Sequence, residues 1–146
     1  KGGMFLMQAR YHVIVSAGVS VGVQAYFNSW PATTACFLSG ILIDLDHFLD
    51  YYIEKKTIPF RYKDLVDFCI DFKGKRVFLL LHSYELLIML WLSIYLLHLD
   101  LAWIGFAIGV TVHMAFDQFT NPIKPLFYFL TYRILNHFKS SKLLLK

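Results

Sequence analysis

Histidines and carboxylates recur along this chain at spacings that suit metal ligation. His12 stands early. Asp44-Leu45-Asp46-His47 form one cluster, His82 and Glu85 a second, and His113 and Asp117 a third. Residues three or four apart share one face of a helix. Asp44 with His47, His82 with Glu85, and His113 with Asp117 therefore each offer an imidazole and a carboxylate on one stripe. Imidazole with carboxylate suits Zn²⁺ first, with Mn²⁺ or Fe²⁺ as alternatives, and no thiolate joins the set. Bundle proteins with two-metal carboxylate centres use the same device.

The segments that carry these residues are strongly apolar. The 146 residues are 58% hydrophobic, 18% aromatic and only 16% charged, with a mean hydropathy of +0.54. A soluble domain is about 45–50% apolar and about 25% charged. One this small buries only about two-thirds of the surface its unfolded chain exposes, so lipid is the natural solvent for the excess. Crossing the hydrocarbon core takes roughly 20 apolar residues. Four runs come near that length, at about 11–27, 32–49, 77–97 and 101–119. Asn28-Ser29-Trp30-Pro31 separates the first two, and Pro31 suits a first helical turn. His98-Leu99-Asp100 joins the last two, and so short a turn implies antiparallel neighbours. A charged connector lies at 50–76, where a short surface helix fits. Residues 126–140, with Arg133 and Lys139, read as a helix lying in the interface with snorkelling cations. The expected fold is all-α: a single membrane-embedded four-helix bundle spanning 1–146. Lys1-Gly2-Gly3 reads as an addition ahead of a start at Met4 or Met7, with no cleavable signal peptide.

Charge bias gives this bundle an orientation. The two short turns at 28–31 and 98–100 hold no Lys or Arg, whereas the N-terminus, the connector and the tail are all basic. The positive-inside rule then puts both termini in the cytoplasm, in the inner (cytoplasmic) membrane. Spans one and three run outward and carry their polar residues early. Spans two and four run inward and carry theirs late. All the ligand candidates therefore gather near the cytoplasmic face, on the order of 10 Å below the basic boundary at 1.5 Å per residue. Each ionisable group inside a span costs about 2.5–3.5 kcal/mol on insertion scales, and agreement in depth across four spans calls for a common purpose.

Simpler readings exist for single residues. Asp46 and His12 sit near span ends, where caps and interface residues are ordinary. A proton or ion pathway also uses intramembrane Asp, Glu and His, but it should cross the bilayer, and the outer half of every span is apolar. His98 falls on the opposite side and His137 in the tail. Tyr11, Tyr51, Tyr52, Trp30, Trp91, Trp103 and Tyr128 read as interfacial belt or packing. Cys36 and Cys69 lack metal or disulfide spacing. The net charge of +4 suits an anionic lipid surface, and no patch is dense enough for nucleic acid.

From about His12 to Arg133, the chain resembles the membrane-bound metal-dependent hydrolases of bacteria and archaea, a family distantly similar to zinc-dependent phospholipase C. The resemblance rests on early His12, on Asp44-Leu45-Asp46-His47, on His82-Ser83, and on His113 with Asp117 followed by Thr120-Asn121-Pro122. Many members carry two histidines in an HRxxTHS-like segment, where this chain has only Leu81-His82-Ser83-Tyr84-Glu85. Glu85 either takes over a ligand place or one metal site is reduced. The resemblance implies a hydrolase with two divalent ions held by His12, Asp44, His47, His82, Glu85, His113 and Asp117. Two such ions can generate a nucleophilic water and stabilise the oxygens of an in-line displacement. A site beneath the cytoplasmic headgroups favours a phosphoester of a membrane lipid or lipid-linked carrier as substrate. Asp46 would be a bridging ligand, an orienter of a ligand or a general base. Arg133, or secondarily Arg10 or Arg76, could pair with the phosphate, and Arg133 could instead meet lipid headgroups. The rival class is a non-enzymatic metal-binding or transport protein. A peptidase lacks support from an HExxH element.

Overall fold

A computed structural model describes residues 9–61, 63–65, 68, 76–121 and 123–145, with side chains from Tyr11 onward. The proposed start at Met4 or Met7, Arg10's side chain, Cys69, Lys73, Lys75, Pro122 and most of the connector's expected surface helix lie outside these residues.

Every regular element among the described residues is helical. In chain order these are α1 (Ala9–Phe27), α2 (Trp30–Leu42), a 3₁₀ turn (Ile43–Leu45), α3 (Asp46–Lys55), α4 (Tyr84–Leu97), α5 (Leu101–Thr120), α6 (Leu130–Leu135) and α7 (Ser140–Leu143). The chain forms two compact units. One comprises Met7–Ile43 and Glu85–Asn121, the other Lys1–Leu6, Asp44–Tyr84 and Pro122–Lys146. Among the described residues one continuous helical stretch, Trp30–Lys55, is long and apolar enough to cross a membrane. Tyr84–Leu97 is apolar but shorter.

In the first unit, turn chemistry fixes the helix ends. Ser29 caps α2 by accepting from Ala32 N, with proline in its first turn. Asp100 caps α5 by accepting from Ala102 N at 3.0 Å and Trp103 N at 3.4 Å. Small residues then set the packing. Gly105 and Gly109, one helical turn apart on α5, lie against the α2 backbone. A Cβ at Gly105 would stand 2.0 Å from Ala32 O, and one at Gly109 would stand 2.3 Å from Cys36 O. Backbones this close are characteristic of small-xxx-small membrane helix pairs. The Ser39 hydroxyl uses the proximity to reach Phe106 O at 2.9 Å. On α1, His12, Ser16, Ser20 and Val23 make one buried stripe. By contrast α4 buries only Ile94, and Ile88, Met89, Tyr95, Leu96 and Leu97 are exposed. Trp91 Nε1 ties it to Thr111 on α5 at 3.1 Å.

The second unit departs from the expected elements. The third apolar run was expected to be helical from residue 77, but α4 begins at Tyr84, and 77–83 is irregular. The reason is that charged side chains, described below, capture the peptide groups of this segment. Helix α3 runs past the expected boundary at 49 and stops at Lys56, which is left-handed with its N–H on Tyr52 O. The expected interfacial helix at 126–140 is broken. Its only helix in that range before Ser140 is the six-residue α6, and His137 and Phe138 are left-handed. Tertiary partners override helical propensity here. Phe138 O accepts from Val77 N at 2.9 Å, and Phe127, Tyr128, Arg133 and Leu143 are fully buried. The tail is thus a packed element of its unit rather than an amphipathic helix.

Candidate functional site

Two groups of His and Asp side chains are placed where they could hold a metal ion, and each unit contains its own converging set. In the first unit, α1 presents His12 and α5 presents His113 and Asp117, one turn apart. His12 Nε2 lies 3.4 Å from Asp117 Oδ1 and His113 Nε2 lies 3.4 Å from Asp117 Oδ2. The two imidazoles stack with centroids 4.0 Å apart and planes 18° apart. All three residues are buried. His113 Nδ1 donates to Gly40 O at 2.8 Å. A carbonyl can only accept, so the proton sits on Nδ1 and the Nε2 lone pair faces the carboxylate. Gly40 is one of the small residues of α2, and a Cβ there would meet Ser16 Oγ at 2.4 Å.

In the second unit, Asp44 from the 3₁₀ turn, His47 from α3 and His82 from the irregular segment converge. Asp44 Oδ1 lies 3.6 Å from His47 Nε2 and 3.7 Å from His82 Nε2. His82 is fully enclosed, whereas the side chains of Asp44 and His47 retain 27% and 26% of their exposure. Asp46 meets the other nitrogen of the His82 ring. Its Oδ2 lies 3.3 Å from His82 Nδ1 and accepts from Leu81 N at 2.6 Å and His82 N at 3.3 Å. The Tyr128 ring stacks on His82 at 5.9 Å.

Both sets could hold a metal ion. Separations of 3.4–3.7 Å exceed the 2.7–3.2 Å typical of N–H···O hydrogen bonds. They approach the edge of a tetrahedron with metal–ligand bonds of about 2.0–2.1 Å, roughly 3.4 Å. In each set one histidine gives its Nδ1 to an oxygen and turns Nε2 toward a carboxylate, the arrangement that orients metal-ligating histidines.

Within the first unit the structure brings together His12, His113 and Asp117, and within the second Asp44, His47 and His82. Glu85 opens α4 as the acidic residue of its first turn and belongs to neither group. Asp46 stands behind His82. Arg133 is fully buried, with Nη1 donating to Phe78 O and Leu79 O and Nη2 donating to His82 O at 2.8 Å. Asp50 was not singled out by sequence. It is buried and accepts from Phe78 N at 3.0 Å and Leu79 N at 3.2 Å. The available signal was its spacing of four from Asp46, which puts two carboxylates on one helix face.

Comparison with known protein families, with characterised proteins and with solved structures finds no match to this chain.

Proposed function

We propose that the protein is a membrane-embedded, metal-dependent hydrolase that cleaves a phosphoester of a membrane lipid or lipid-linked carrier at the cytoplasmic face. The observation that carries this reading is the pair of His–Asp sets, each with ligand atoms at tetrahedral-edge separation and a histidine oriented through its far nitrogen. One divalent ion, Zn²⁺ first among the choices, would occupy each set. The resemblance of the DxDH and HxxxD elements to membrane-bound metal-dependent hydrolases supports the same conclusion.

The two sets differ in access, and this divides their roles. His12, His113 and Asp117 are enclosed, as befits a structural ion. Asp44 and His47 are partly open, so the set completed by His82 can admit a substrate oxygen. An ion there would supply Lewis acidity to a phosphoryl oxygen and make water acidic enough to act as nucleophile near neutral pH. The protein's own part is to aim His82 Nε2, through Asp46 on Nδ1, and to leave one side of Asp44 and His47 accessible. Placement near lipid is supported by the apolar Trp30–Lys55 helix. It is also supported by Ile58 and Phe60, 78% and 93% exposed, among Lys55, Lys56, Arg61 and Lys63. Exposed apolar side chains among cations suit a surface of anionic lipid.

Phosphate release from phosphatidic acid, phosphatidylglycerophosphate and prenyl phosphates, with Zn²⁺ or Mn²⁺ supplied, tests the reading. Release from at least one, abolished by His47→Ala, is expected. Bound metal without release from any of them would favour a non-enzymatic metal-binding protein.

A further inference from the structure

We infer that Asp46, Asp50 and Arg133 form a charged cradle that fixes the irregular segment 78–82 and thereby aims His82 at its metal; Asp50 and Arg133 are positioning residues. The inference rests on the reading of Asp44, His47 and His82 as a metal site.

The argument begins with peptide groups. Leu79, His82 and Ser83 are buried and lie outside any helix, and buried peptide groups require partners. A helix continuing back from Tyr84 would have satisfied them internally. Here charged side chains do so instead. Asp50 takes the N–H groups of Phe78 and Leu79. Asp46 takes those of Leu81 and His82. Arg133 takes the carbonyls of Phe78, Leu79 and His82. Anions thus meet the donor side of the segment and a cation meets its acceptor side. Leu79 is held at φ 40°, a left-handed conformation that residues other than glycine seldom adopt.

Three buried charges are a costly way to satisfy a few peptides, since buried ions lose much of their hydration. What the cradle provides, and a helix would not, is the placement of His82. That residue is fixed at its N–H and Nδ1 by Asp46, at its carbonyl by Arg133 and across its ring by Tyr128. Only then does Nε2 face Asp44. Asp50 and Arg133 act one step back, by holding Phe78 and Leu79 from opposite sides. Histidine orienters of this kind typically change metal affinity by about 10–100-fold when altered.

The test uses the full chain in detergent, loaded with Co²⁺. Asp50→Asn keeps the side chain's shape, and Arg133→Lys keeps its charge but loses the fork that spans several carbonyls. Affinity is measured for the ion that His47→Ala removes and, as an internal reference, for the ion that His113→Ala removes. Melting temperature and the visible Co²⁺ spectrum are recorded together. The expected result is a fall of about 10–100-fold at the first ion, with an altered spectrum, while the reference ion binds as in the wild type. Arg133→Lys should retain more affinity than Arg133→Met. Lower melting temperatures with unchanged affinity and spectrum would overturn the inference, because the cradle would then be structural only. A wild type that binds no ion dependent on His47 would overturn both the inference and the reading beneath it. Asp50→Asn decides the matter if the Arg133 variants cannot be purified.

Discussion

Asp46 shows how a single side chain can be near a centre without belonging to it. Its carboxylate faces His82 Nδ1 and two backbone N–H groups, so its effect on a metal passes through the imidazole. Asp46→Asn should weaken binding of the ion held with His82 by about 10–100-fold, measured by competition with a chromophoric chelator. Unchanged affinity would mean that His82 keeps its orientation unaided. The pairs close in sequence were legible from spacing alone: Asp44 with His47, and His113 with Asp117. The pairings across the chain were not. Nothing in the sequence says that His12 would meet Asp117, or that His82 would meet Asp46 and Asp44. The sequence suggests that Arg133 faces a phosphate or lipid headgroups, because arginine among apolar residues near a membrane usually reaches outward. Its carbonyl partners belong to a segment with no periodicity, and such partners leave no pattern to read.

Helix packing in the first unit depends on glycines at two positions. A side chain at Gly105 or Gly109 would collide with the α2 backbone, which cannot yield as the end of a flexible side chain can. Gly105→Ala and Gly109→Ala should therefore destabilise by about 1–3 kcal/mol or more, seen as a lower melting temperature in detergent. Gly18 and Gly22 on α1 have nothing within 4 Å of an added Cβ. Gly22→Ala should be neutral or stabilising by up to about 1 kcal/mol. Equal losses at Gly22 and Gly109 would contradict the packing described. The break before α2 and the short turn before α5 are visible in sequence. The late start of α4 and the broken tail were hidden, because hydropathy records how apolar a run is and not which peptides are captured by Asp50 and Arg133. Residues 77–81 are apolar enough to continue a helix, yet they are held irregular by side chains distant in sequence.

Charge divides the whole molecule unevenly. Of the 14 Lys and Arg residues, Arg10 alone falls in the unit made of Met7–Ile43 and Glu85–Asn121. The unit that holds α1, α2, α4 and α5 thus carries a single cation by sequence. A reporter placed in the turn His98-Leu99-Asp100 should map outside the cytoplasm, and a cytoplasmic signal there would contradict the orientation. The central claim is that the chain holds two divalent ions, one in each His–Asp set. Metal analysis of the purified wild type beside His113→Ala, His47→Ala and the double variant tests it most directly. The account predicts two equivalents in the wild type, one in each single variant and none in the double variant, with the folded state retained in both single variants. A fully stable wild type that carries no metal, and takes up none when Zn²⁺, Mn²⁺ or Fe²⁺ is supplied, would contradict it.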